Sequence, residues 1–247
     1  MILVLAARLD SGARQLVKSL GADRARLLTV DDLSSPGWRV DSADPAASRA
    51  VVQGEPVPAT ELTGVVTRLP AVTGAEIRRI RPEDRDYAAS EMTAFLNYWL
   101  STLPCPVLNP PVPSSLSGPG WRAEQWAVAA KELGLAVRPH RRELGRFRPG
   151  GAAGDDGPPG PLTHSPALQA TVVGGQRIGG GPHGLAEFTQ ALATAAEVPM
   201  LTAFFEEYGS GVRFVDAQPW VSAHDPAVVD AIRGHFAKAD ARAGVAR

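Results

Sequence analysis

Residues 64–109 read GVVTRLPAVTGAEIRRIRPEDRDYAASEMTAFLNYWLSTLPCPVLN. Gly64 to Leu69 is a short, nearly continuous apolar run, the pattern of a strand covered on both faces. Pro82 opens the next element, and Glu83, Asp84 and Asp86 fall in its first turn, where the helix dipole favours acids. Phe95, Trp99 and Leu103 then recur at i, i+4 and i+8, with Leu96 and Leu100 beside them. This spacing predicts a helix over 83–103, which Pro104 ends. Pro106 to Asn109 reads as a second short strand. Strand and helix alternating at this spacing argue for an open α/β sheet.

The same pattern extends in both directions. Upstream, residues 2–6 (ILVLA) form another buried-strand run, followed by a predicted helix over 10–20 with Leu16, Val17 and Leu20 on one side and Gly21 as its stop. Arg26 to Val30 reads as a strand and 31–50 as loop. Val51 to Gln53 and Glu61 to Leu62 read as the arms of a small hairpin around Gly54-Glu55-Pro56. Downstream, the Pro/Gly/Ser-rich residues 110–120 form a loop, 121–133 a helix with Gly134 as its cap, and Leu135 to Arg138 a further strand. Residues 1–139 are therefore expected to form one open α/β domain. Residues 138–148 carry five arginines and one glutamate, and 149–161 are nearly all Gly, Pro, Ala and Asp. Such a segment cannot bury a core, so 140–167 is expected to be a linker. Beyond it, Leu168 to Val173 and Gln176 to Ile178 flank Gly174-Gly175 as a β-hairpin. A helix follows over 183–197, then strands over Met200 to Glu206 and Val212 to Ala217. A last helix starts at Asp225-Pro226, with Val228, Val229, Ile232 and Phe236 in its apolar stripe. Residues 168–247 thus make a smaller α+β unit.

Composition narrows the function. Net charge is −1, so no global basic field points to nucleic acid. No apolar run approaches the ~20 residues that span a bilayer. The apolar start at Met1–Ala7 has no basic residue ahead of it, unlike a signal peptide. The reading places the protein in the cytoplasm, with no membrane partner. The single cysteine, Cys105, excludes an internal disulfide and any all-cysteine zinc site. It sits between two prolines and reads as a buried structural thiol rather than a nucleophile. The five histidines show no metal-ligand spacing, and no G-x-S-x-G elbow occurs. Of 25 cationic residues only Lys18, Lys131 and Lys238 are lysine.

Three groups of residues can carry chemistry. Arg68, at the end of a buried strand, faces the ligand crevice of an open α/β sheet. It is either a binding group or the ion-pair partner of an acid such as Glu91. The loop Leu116-Ser-Gly-Pro-Gly-Trp-Arg122 opens a helix and lacks a Walker A lysine. It is either a well-capped turn with Ser117 as cap or an anion site using Ser117, Gly118, Arg122 and Gln125. Glu206, Glu207, Asp216 and Gln218 fall at adjacent strand ends, either as solvated polar residues or as oxygen ligands for magnesium.

The order of these parts resembles the ATP-grasp ligase superfamily, in its branch of amide-forming ligases and peptide maturases. VVTRLP, EDRDYAASEMTAFLNYWL, LPCPVLNP and LSGPGWRAEQW resemble the N-terminal, pre-ATP-grasp domain. VVGGQRI, a helix, an acid-bearing strand and FVDAQP are similar to the end of the ATP-grasp core. The resemblance implies that Asp216 and Gln218 stand where the family has the acid and Asn of its magnesium motif, with Glu206 or Glu207 near the earlier acid. It also implies a middle subdomain whose lysines hold the nucleotide phosphates. Here that interval is residues 140–167, which contain no lysine, and arginine matches lysine in charge but not in reach or shape. Gln218 adds a methylene where magnesium demands tight octahedral geometry. The favoured expectation is therefore a degenerate ATP-grasp-like protein, without cofactor, that acts as a binding or accessory subunit with a protein or peptide partner in a peptide-modifying or natural-product pathway. The alternatives are an active ligase using ATP and magnesium, with Arg68, Arg122 and Arg177 on phosphate or substrate carboxylate, or a simple anion-binding module. The helix over 83–103 either packs on its own sheet or pairs with a second copy as a homodimer.

Overall fold

The computed structural model describes residues 1–139, 168–181, 184–221 and 223–245. The predicted basic run beyond Pro139, the Gly/Pro-rich linker, His164 and His183 lie outside them. The elements are, in chain order, β1 (Ile2–Leu5), α1 (Ser11–Leu20), β2 (Ala25–Leu28), α2 (Val30–Leu33), β3 (Arg49–Val52), β4 (Glu55–Pro58), β5 (Gly64–Thr67), α3 (Arg85–Thr102), β6 (Val107–Leu108) and α4 (Ala123–Glu132). After the undescribed stretch come β7 (Leu168–Val173), β8 (Gln176–Gly179), α5 (Leu185–Ala195), β9 (Met200–Tyr208), β10 (Gly211–Gln218) and α6 (Pro226–Val245).

β2-β1-β5-β6 form an all-parallel sheet and β10-β9-β7-β8 an antiparallel one. The α/β reading holds for the first sheet and the α+β reading for the second. Parallel strands buried on both faces read as unbroken apolar runs, and every residue of β1 and β5 is buried. α3 packs on one face, where Leu96, Trp99 and Leu100 meet Leu3, Leu5 and Val65. α1 and α6 cover the other, where Leu16, Leu20, Ile232 and Phe236 meet Val4 and Val66. Val173 and Met200 of the second sheet join that same cluster, so one apolar cluster takes residues from both sheets. Phe236 lies so close to β5 that a Cβ on Gly64 would fall 2.2 Å from its ring. Among the described residues no helix is long and apolar enough to cross a membrane.

Three expectations are corrected. The small hairpin pairs Arg49–Val52 with Glu55–Pro58, not with Glu61 and Leu62. Its turn is Gln53-Gly54, with φ of 55° and 83°, the left-handed pair that two-residue hairpins favour. Val30 starts α2 rather than ending a strand. α4 and residues 135–138 belong to the second sheet. Trp126, Ala129 and Ala130 pack with Leu192, Leu201 and Phe205, and Val137 bridges in parallel to Phe214 of β10. Packing thus changes from the first sheet to the second before α4, not after residue 139.

Candidate functional site

At the crevice end of the first sheet Arg68 follows β5, and each of its three guanidinium nitrogens makes a hydrogen bond. Nε donates to Asp10 Oδ2 at 2.8 Å, Nη2 to Oδ1 at 3.3 Å, and Nη1 to the Val221 carbonyl at 3.1 Å. Asp10 also accepts from the Ala13 N–H at 2.9 Å, capping α1. Burial alone would raise the Asp10 pKa; the hydrogen bond and charge of Arg68 and the backbone donors outweigh it and hold the carboxyl below its usual range. The acid partner is therefore Asp10, not Glu91. Gly12 leaves room for this contact, since a Cβ there would meet Arg68 Nη2 at 2.7 Å.

The loop before α4 is built for packing. Ser117 is fully buried and its N–H donates to Ser115 Oγ at 3.2 Å. It does not cap α4; Arg122 occupies the cap position, where its N–H donates to Gln125 Oε1 at 3.0 Å. Gly118, at φ 94°, lies against Asn109 and Val198, which a Cβ would approach to 3.3 and 3.2 Å. Arg122 and Gln125 are exposed. Ser117 and Gly118 thus sit inside the loop packing while Arg122 and Gln125 lie at the surface.

Asn109 is the residue that sequence reasoning missed. It is fully buried at φ 62°, just beyond β6. Its Nδ2 donates to the Met200 carbonyl at 2.9 Å and the Pro219 carbonyl at 2.7 Å, and its Oδ1 accepts from the Met200 N–H at 2.9 Å. One side chain thus joins the first sheet to the start of β9 and the end of β10. The signal available was a polar residue between a buried strand and Pro110, of a type that tolerates left-handed backbone.

On the second sheet the register decides which candidates meet. Thr202 pairs with Thr171 and Gln218, Phe204 with Gln169 and Asp216, and Glu206 with Arg213. Paired residues share a face and successive residues alternate. Glu206, Asp216 and Gln218 therefore lie on one face. Leu201, Ala203 and Phe205 lie on the other, under α5. A bulge between Phe214 and Asp216 sets this arrangement; without it Asp216 would oppose Ala203. Glu207, paired with Val212, falls on the face opposite Glu206 and is exposed. Arg177 pairs with Val172 on that same opposite face, where its Nη1 donates to Glu187 Oε1 at 2.7 Å.

Glu206 is itself held by two arginines. Arg138 Nε donates to Oε1 at 2.9 Å and its Nη2 to Oε2, while Arg213 Nε also donates to Oε1. The Arg138 hydrogen bond, outweighing the cost of burial and joined by that of Arg213, keeps the Glu206 pKa below its usual value. Arg213 in turn lies 4.5 Å over the Tyr208 ring. Asp216 Oδ1 accepts from the Ala217 N–H at 2.9 Å. Magnesium needs several oxygens at about 2.1 Å in octahedral array. Two guanidinium groups on the Glu206 oxygens oppose such an ion, and among the described residues no three His, Cys, Asp or Glu side chains gather to hold a metal. In this arrangement the Glu206 carboxylate is turned to guanidinium groups rather than held open for an ion.

No protein-family model matches the sequence, and no curated protein matches it. Solved structures do share the fold. Macrocyclase MdnC bound with precursor peptide MdnA from Microcystis aeruginosa MRC superposes with a TM-score of 0.64 at 11% identity, covering 96% of this chain and 99% of that one. A Chryseobacterium gregarium RiPP-associated ATP-grasp ligase in complex with ADP and a leader and core peptide gives 0.61 at 8% identity, covering 96% of each chain. ATP-grasp ligase PsnB complexed with minimal precursor gives 0.59 at 13%, covering 95% of this chain and 98% of that one. At these identities the likeness establishes the fold, and the chain has the α/β fold of ATP-grasp peptide ligases.

Proposed function

We propose that this chain is a non-catalytic ATP-grasp-fold protein that binds a peptide as an accessory component of a peptide-modification pathway. The observation that carries the reading is the Arg138–Glu206–Arg213 cluster. Glu206, one of the two glutamates that the family resemblance sets near the earlier acid of the magnesium site, is paired with two guanidinium groups, and Arg68 is likewise engaged with Asp10 and Val221. Peptide binding is supported by the company the fold keeps, since the MdnC, PsnB and Chryseobacterium structures are complexes with precursor or leader and core peptides.

A second reading, an active carboxylate–amine ligase, is favoured by one feature. The bulge in β10 brings Asp216 and Gln218 onto the Glu206 face. PsnB has also been seen with magnesium and ADP, and with AMPPNP. That reading requires Glu206 to leave its arginines. For the anion-module alternative, Ser117 and Gly118 are engaged in loop packing and Arg68 in its ion pair, while the Arg122 side chain is exposed.

The test is turnover. The protein is incubated with Mg-ATP and glutamate-containing peptides, and ADP release and loss of water from the peptide are followed by mass spectrometry. The accessory reading predicts neither above a no-protein control. ADP formation coupled to peptide dehydration would contradict it and favour the ligase.

A further inference from the structure

Glu124, Ala127, Val128 and Lys131 recur at helical spacing on α4 and form one wall of a groove of about 500 Å³; the extended segment Leu135–Pro139 forms the other. Among the described residues that segment is paired on one side only. The Arg138 N–H donates to the Phe214 carbonyl and the Phe214 N–H to the Ala136 carbonyl, both at 2.8 Å. Strand hydrogen bonds alternate between the two sides, so the N–H and C=O of Val137 point away from β10. Neither has a backbone partner among the described residues. Exposed, unmatched backbone groups at a sheet edge are a template for another strand.

Chemistry in the groove narrows the occupant. Val128 is 58% exposed and, with Ala127, offers an apolar wall. Lys131 and Arg138 supply two cations against the single acid Glu124 among the lining residues. Arg138 uses Nε and Nη2 on Glu206, and no hydrogen bond of its Nη1 is found among the described residues. We propose that this groove takes an extended, carboxylate-bearing peptide segment as an additional strand beside Leu135–Pro139. Its backbone pairs with Val137, its apolar side chains lie on Ala127 and Val128, and its acids meet Lys131 and Arg138. Five extended residues span about 16 Å, so the segment recognised is about five residues long. This inference rests on the peptide-binding reading and gives that reading a location.

The probe is fluorescein-labelled Val-Glu-Val-Glu-Val-amide, followed by anisotropy on the full chain. Val128→Asp and Lys131→Glu alter exposed side chains, and circular dichroism checks that both variants fold. Each is expected to weaken binding about tenfold, as is N-methylation of the central peptide residue or glutamine in place of both glutamates. Probe binding that is unchanged in both variants would overturn the groove while leaving peptide binding intact. Absence of probe binding to the wild-type chain at millimolar concentration would also overturn it. Failure of the accessory reading shows separately, as ADP release in the turnover assay.

Discussion

Asn109 joins the two sheets through three hydrogen bonds that no apolar residue can replace. Asn109→Ala leaves the Met200 N–H, the Met200 carbonyl and the Pro219 carbonyl buried and unpaired, at about 3 kcal/mol or more in total. Urea denaturation should show an unfolding free energy lower by that amount; an unchanged value would mean the bonds are replaced by water. The Asp10–Arg68 pair supplies a pH signature. The Asp10 pKa is depressed in the folded state, so its contribution is complete above the ordinary aspartate value near pH 4 and lost as pH falls through the lower folded value. Glu206 acts with the same sign through Arg138 and Arg213. Arg68→Met should flatten part of the fall in stability between about pH 5 and pH 2, measured by denaturant midpoints across that range. Residue types told which groups were chemically capable, but not their partners. Arg68 offered an ion pair or a ligand contact, and only the chain reversal after β10 brings the Val221 carbonyl to it. Ser117 looked like a cap because it precedes a helix, yet α4 starts only at Ala123, with Arg122 at the cap position.

Helices and strands were legible wherever burial imposed a period. The apolar runs at 2–6 and 64–69, the helix over 83–103 and the Gly174-Gly175 hairpin all form within a few residues of expectation. Partners were not legible, because a short apolar run records that it is buried without recording against what. Leu135 to Arg138 was read as part of the first sheet and instead borders β10. The second arm of the small hairpin was misplaced because Pro56 and Pro58 disguise a strand; proline is tolerated at such an edge position. Element packing makes its own prediction at the contact of α6 with β5. Gly64→Ala should destabilise by about 1–3 kcal/mol through collision with Phe236. Adding Phe236→Leu should recover part of that loss, since neighbouring substitutions couple. Additive losses in a double-mutant cycle would show that the two residues do not share the space.

For the whole molecule, α6 and Asn109 make the two sheets one packed body, and this arrangement sets what the sheet faces can do. The polar face of the antiparallel sheet carries Glu206, Asp216 and Gln218, where the resemblance to ATP-grasp ligases implies metal ligands. The Arg138–Glu206–Arg213 contacts give that face a different chemistry. Sequence could raise the doubt, through the absence of lysine in residues 140–167, but could not supply the arginine clamp, which needs residues 138, 206 and 213 in one place. The most direct measurement is thermal unfolding of the protein alone, with ATP, and with Mg-ATP at millimolar concentration. A nucleotide present at 100 times its Kd would add about 2.7 kcal/mol and raise the midpoint by several degrees. The account predicts the same midpoint in all three conditions; a magnesium-dependent rise would contradict it and restore the nucleotide site.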